Sequence, residues 1–65
     1  MIDLIKMNGK GITVNAELIE TVEETPDTVL TLAGGKKIIV KESRQEVKNL
    51  VILYKREVLG GILSS

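Results

Sequence analysis

The sequence predicts one small α+β domain, in which about five antiparallel strands joined by hairpins precede a single C-terminal amphipathic helix. Two observations predict it. Over the first two thirds of the chain, short apolar segments alternate with turn-forming residues, which is typical of hairpin-linked strands. Beyond Ser43 the apolar residues change from the alternation of a strand to the three-and-four spacing of a helix.

The first two strands are expected to form a hairpin. Asn8-Gly9 separates a strand over residues 2–7 from a strand over residues 11–15, and this pair favours a type I′ turn. The stretch from Asn15 to Leu18 then interrupts the alternation. It predicts a tight helical turn or a bend in which the Asn15 side chain accepts a hydrogen bond from a nearby backbone N–H.

Three more strands are expected at residues 19–25, 28–32 and 36–41, with turns at Pro26-Asp27 and at Gly34-Gly35. Strict alternation along the first of them would place Ile19 and Val22 on opposite faces. Because short turns favour pairing of consecutive strands, we expect residues 2–41 to form one meander-like antiparallel sheet.

The helix is expected over residues 44–59. Ser43 and Glu46 have the spacing of a capping box, and a narrow apolar stripe follows: Val47, Leu50, Val51, Tyr54 and Val58. Gly60-Gly61 predicts the end of the helix, because glycine adopts the left-handed conformation without steric cost. Residues 60–65 would then be a short tail, and residues 1–65 a single domain.

Composition removes several classes of function. The chain has no cysteine and no histidine, so disulfides, thiolate metal sites and Ser-His-Asp or Cys-His catalytic groups are excluded. Nine basic residues balance nine acidic ones and the single aromatic is Tyr54, which argues against nucleic-acid binding through excess charge or base stacking. No apolar run is long enough to cross a bilayer. We therefore expect a cytoplasmic protein that is not an enzyme and has no small-molecule substrate, cofactor or metal.

Two local patterns have competing interpretations. The acidic residues between Glu17 and Asp27 could form a carboxylate site, or they could be a charged strand edge that resists aggregation, which we favour. Gly34-Gly35-Lys36-Lys37 superficially resembles a phosphate-binding loop. It lacks the glycine spacing and the following helix of that motif, so a hairpin turn with flanking lysines is the better interpretation.

More apolar residues are present than one helix packed on one sheet face can cover. A domain this small also has a limited core, and without disulfides a partner subunit is the expected source of extra stability. We therefore predict a homo-oligomer, with Ile52 and Leu59 on the outer side of the helix and Ile39 on the sheet as the self-association residues.

A local basic patch is the second candidate surface. Lys36, Lys37 and Arg44, with Lys41 and Lys48 nearby in sequence, could meet at the junction of sheet and helix. Such a patch could bind a partner or simply be solvated, and solvation is the more ordinary interpretation.

In their order and spacing, these motifs resemble the short FlbD-type flagellar and swarming-motility proteins. The resemblance spans the chain to about Arg56 and rests on Leu4, Asn8-Gly9, Asn15, Glu17, Ile19-Glu20, Pro26-Asp27-Thr28, Leu30-Thr31-Leu32, Gly35-Lys36-Lys37, Val40-Lys41-Glu42-Ser43, Glu46-Val47 and Tyr54-Lys55-Arg56. The chain departs from the family at Ile5-Lys6, where Thr-Arg is expected, and residues 59–65 have no counterpart.

The resemblance implies a non-enzymatic accessory protein near the flagellar base that supports motor power through protein contacts, with a stator or basal-body protein as the partner. A protein of another class is the alternative: a small β-rich RNA-binding regulator of the carbon-storage type, which has a similar length and a similar order of strands and helix. The neutral charge and the sequence pattern favour the flagellar interpretation.

Overall fold

The structure, a computed structural model, describes the backbone of residues 1–64 and the side chains of residues 1–60. It confirms an α+β fold of five antiparallel strands followed by one helix. The strands are β1 (Ile2–Ile5), β2 (Gly11–Val14), β3 (Ile19–Glu24), β4 (Thr28–Leu32) and β5 (Lys37–Val40), and the helix is α1 (Arg44–Ser64). A short 3-10 helix, Ala16–Leu18, connects β2 to β3.

The strands form two sheets and not the single meander that we expected. One sheet pairs β1 with β2, and the other has the order β3-β4-β5. The break lies at the 3-10 helix, where the Asn15 side chain accepts the Glu17 N–H at 3.0 Å, as predicted, and where Ala16 is buried. The chain enters the core at this turn, and β2 and β3 on either side of it therefore belong to different sheets.

A seam of backbone contacts nevertheless joins the two sheets along β1 and β5. The Met7 N–H donates to the Ile39 carbonyl at 3.2 Å, and the Lys41 N–H donates to the Ile5 carbonyl at 2.7 Å. The Ile5 N–H donates to both carboxylate oxygens of Glu42 at 3.0 Å. The Glu42 side chain thus takes the place of a strand carbonyl where β5 has ended.

Two hairpin turns close with the same hydrogen-bond pattern. In the first, the Gly9 N–H donates to the Lys6 carbonyl and the Lys6 N–H to the Lys10 carbonyl, both at 2.8 Å. Only Gly9 has positive φ there, at 88°, so the predicted type I′ turn is wrong. The turn is a three-residue loop ending in a glycine bulge. In the β4–β5 turn, the Gly35 N–H donates to the Leu32 carbonyl at 3.0 Å and the Leu32 N–H donates to the Lys36 carbonyl at 2.7 Å.

The core lies between the two sheets and the first half of α1. Its buried side chains come from every element except β3 and include one helix residue: Ile2, Leu4, Val14, Ala16, Leu30, Ile38, Val40 and Val47. Around it pack partly buried residues that include Leu50, Val51 and Tyr54 of the predicted stripe. Val58 is exposed, so the stripe contacts the core only as far as Tyr54.

The start of α1 is the predicted one. The Ser43 hydroxyl accepts the Glu46 N–H at 3.1 Å and donates to the Glu46 carboxylate at 3.3 Å. The predicted end at residue 59 is wrong, because α1 continues past Gly60 to Ser64. Glycine only weakens a helix interior, and Gly60 does not have positive φ. The expected tail is therefore helical over 60–64, and Ser65 lies outside the described residues.

Candidate functional site

Ile39, the sheet residue predicted to mediate self-association, belongs to an exposed apolar patch at the seam. It is 45% exposed. Met7 lies opposite it, joined through its N–H to the Ile39 carbonyl. Lys6 forms an antiparallel bridge with Val40, so pairing continues past the end of β1 and the two neighbours of Lys6, Ile5 and Met7, lie on the same face. All three side chains are exposed. We call Ile5, Met7 and Ile39 the sheet patch.

Ile52 and Leu59, the predicted helix residues, are also exposed, at 40% and 59%. Seven residues make nearly two full turns, so both side chains project from one side of α1. The structure thus places the three predicted self-association residues on two surfaces, the sheet patch and this side of the helix. Both surfaces are available for contacts, and neither contact is tested by the structure.

The predicted basic patch is split in the same way. Lys36 and Lys37 stand at the β4–β5 turn and line a shallow concavity with Met7 and Ile39. Arg44 begins α1, beyond the opposite end of β5, and lines a different groove. A four-residue strand spans roughly 13 Å, which separates the two lysines from the sheet–helix junction.

An open groove of about 460 Å³ lies between β3 and α1. Its floor is apolar and includes Ile19, Val22 and Val51, and Ile52 lies at its helix side. The expectation that Ile19 and Val22 face opposite ways is wrong, because the register of β3 against β4 shifts between Ile19 and Thr21. The extra residue of such a bulge turns both side chains to the same face.

Cationic side chains rim this groove on the helix side. Arg44, Lys48 and Lys55 all line it. At 100° per residue these positions fall within about 40° of one another around the helix, and each side chain is exposed. Among the described residues that line the groove, none is acidic. The groove was not predicted from the sequence, because no residue pattern in β3 indicates the bulge that places Ile19 and Val22 on the same face.

The carboxylates of the acidic cluster are spread over the strand and its ends. Glu24 accepts the Arg44 N–H at 2.9 Å and so helps to cap α1. Glu20 and Glu23 are exposed on β3. Over the described residues, no group of three or more acidic side chains is placed to hold a metal ion. Nor does the described part contain a helix with the length and apolarity needed to span a membrane.

Comparison with protein-family models gives a match over most of the chain. The family model described as "Flagellar and Swarming motility proteins" (FlbD) matches residues 1–59. The matched stretch includes all five strands, the groove, the sheet patch and α1 as far as Leu59. Searches of curated proteins and of solved structures found no match.

Proposed function

The chain belongs to the FlbD family of flagellar and swarming motility proteins, and from this premise we propose that it is a non-enzymatic accessory protein that supports motor power. It would act through protein–protein contacts near the stator or the flagellar base, on the cytoplasmic side. The family match over residues 1–59 is the observation that carries the association with motility. The exposed apolar residues on two surfaces support the choice of protein contacts as the mode of action.

The test is the torque per flagellum in cells that lack the protein, with the flagella counted in the same cells. We expect normal flagellar numbers with weakened rotation, restored by the wild-type chain. Crosslinking in motile cells should then recover a stator or rotor protein. Missing flagella with normal torque on the survivors would contradict a role in motor power and point to assembly or gene expression.

The RNA-binding alternative has its own test. Its binding surface would need basic side chains at one edge, whereas Lys36 and Lys37 lie apart from Arg44 in this structure. A gel-shift titration with cellular RNA at moderate salt, repeated at higher salt, would measure any binding and its electrostatic part. Tight binding with a steep salt dependence would favour the alternative over the motor proposal.

A further inference from the structure

We infer that the groove between β3 and α1 binds an acidic amphipathic helix of a partner protein. The inference rests on the proposed function, because it specifies the chemistry of the partner that the proposed function requires. It is carried by two features of the same surface: an apolar floor that accepts side chains, and a cationic rim with no carboxylate among its described lining residues.

The floor determines what part of the partner enters. Ile19, Val22 and Val51 are each partly buried against the core, so they are held in place but keep an accessible side. Ile52 adds exposed apolar surface at the helix edge. A volume of about 460 Å³ accommodates a row of apolar side chains, which is how an amphipathic helix docks into a groove between secondary-structure elements.

The rim determines the sign of the partner's charge. Lys48 and Lys55 have exposed side chains along the groove, and carboxylates beside the partner's apolar row would lie opposite them. At the N-terminal end of the rim, Glu24 is already engaged by the Arg44 N–H. Lys55 also lines a neighbouring concavity with Val58, Leu59 and Glu17, and the Glu17 carboxylate marks the end of the cationic rim.

Two other occupants fit less well. A second copy that docked the same side of α1 against itself would bring Arg44, Lys48 and Lys55 close to their own counterparts, and like charges in contact oppose association. An anionic bilayer is attracted by the lysines, but a flat surface does not fill a concave floor. The partner helix satisfies both the shape and the charge.

The test uses the full chain and two synthetic peptides of about 18 residues, or five helical turns. Both peptides carry the same leucine row, and one has glutamate where the other has lysine. Fluorescence anisotropy at low salt should show binding of the glutamate peptide and at least about tenfold weaker binding of the lysine peptide. Equal affinity for both, or no binding of the glutamate peptide at high micromolar concentration, would overturn the inference.

Variants locate the binding surface. We expect the double variant Lys48→Glu/Lys55→Glu to weaken glutamate-peptide binding by about tenfold, and Ile52→Ser to weaken it by severalfold. The matched control Lys36→Glu/Lys37→Glu makes the same change in net charge outside the groove and should leave the affinity within about twofold. An equal loss in the control would show general charge attraction and overturn the inference. All substituted residues are exposed, and unchanged melting temperatures would verify folding.

Two further measurements separate this inference from its rivals and from the proposed function. The first measures binding to vesicles of phosphatidylglycerol and phosphatidylcholine. If the vesicles bind, Lys48→Glu/Lys55→Glu weakens that binding and the peptide does not bind, the surface recognises lipid and the inference is overturned. If cells that lack the protein lose torque but cells that carry Lys48→Glu/Lys55→Glu keep normal torque, the groove inference is refuted and the proposed function stands. Normal torque without the protein would refute the proposed function, whatever the peptide result.

Discussion

Ser43 caps the N-terminus of α1 with its side-chain hydroxyl. That hydroxyl accepts the Glu46 N–H at 3.1 Å, one of the N–H groups that the first turn of a helix leaves without a partner. Glu24 supplies an acceptor for another, the Arg44 N–H. The start of α1 is therefore held by one local contact, which the capping-box spacing predicted, and by one contact from β3.

Replacing Ser43 should measure the local contact. We expect Ser43→Ala to lower the free energy of unfolding by about 1 kcal/mol, which corresponds to a fall of roughly 4–8 °C in melting temperature for a domain of this size. Urea unfolding followed by circular dichroism provides the measurement. Ser43→Asn is the matched control, because asparagine caps as well as serine and its amide brings no second negative charge next to the Glu46 carboxylate. An equal loss in both variants would mean that the hydroxyl bond does not hold the helix start.

Residue-level signals predicted some side-chain hydrogen bonds between residues close in sequence, although the type I′ turn expected at Asn8-Gly9 was wrong. Asn15 and Ser43 made the bonds expected of them. The same signals could not reveal the bond from Ile5 to Glu42, which joins residues 37 positions apart. They also could not reveal the bulge after Ile19, since it depends on how β3 fits β4 and the core. The groove was missing from the sequence prediction for that reason.

At the scale of elements, α1 is longer than its contacts require. Residues 55–60 are all exposed, so this part of the helix gains little stabilisation from the core. Propensity alone decides whether such a segment stays helical, and isolated helical turns are marginal. The glycine pair that we expected to end the helix lies in this segment.

Glycine substitutions should distinguish a continuing helix from a terminated one. Gly60 lies in α1 with open space around its Cβ position, so Gly60→Ala should raise helicity and stabilise by up to about 1 kcal/mol. The same change at Gly35, where φ is +90°, should destabilise by about 1–2 kcal/mol because alanine is strained there. Thermal unfolding of both variants provides the comparison. A destabilising Gly60→Ala would indicate the left-handed helix end that the sequence predicted.

The seam between the sheets is the second element-scale feature. Glu42 accepts the Ile5 N–H through both oxygens, so Glu42→Ala should lower the free energy of unfolding by about 1 kcal/mol and accelerate hydrogen exchange at the Ile5 amide. Glu23→Ala, at an exposed strand position, should change neither. Amide exchange followed by NMR checks this. Unchanged protection of the Ile5 amide in Glu42→Ala would show that the carboxylate does not complete the ladder.

At the scale of the whole molecule, the exposed apolar surface falls into two parts, one on the helix and one on the sheet. Ile52 and Leu59 project from a helix that also carries Lys48 and Lys55, which suits an acidic partner. The sheet patch of Ile5, Met7 and Ile39 has exposed side chains at the seam between the sheets, with Lys36 and Lys37 at one end of it. A chain of 65 residues has a small core and no cysteine to form disulfides, so covering the sheet patch with a second copy would supply additional stability.

Self-association should therefore respond differently at the two surfaces. We expect sedimentation velocity at high micromolar concentration to show an oligomer, and we expect Ile39→Glu to dissociate it by burying a charge in the contact. The sequence prediction placed Ile52 among the self-association residues; if the helix surface instead serves the acidic partner, Ile52→Glu should leave the oligomer intact. The opposite result, with Ile52→Glu dissociating the oligomer and Ile39→Glu having no effect, would place self-association on the helix and leave the groove unavailable to a partner. A monomer in the wild type would remove self-association as the source of stability and leave both surfaces for other proteins.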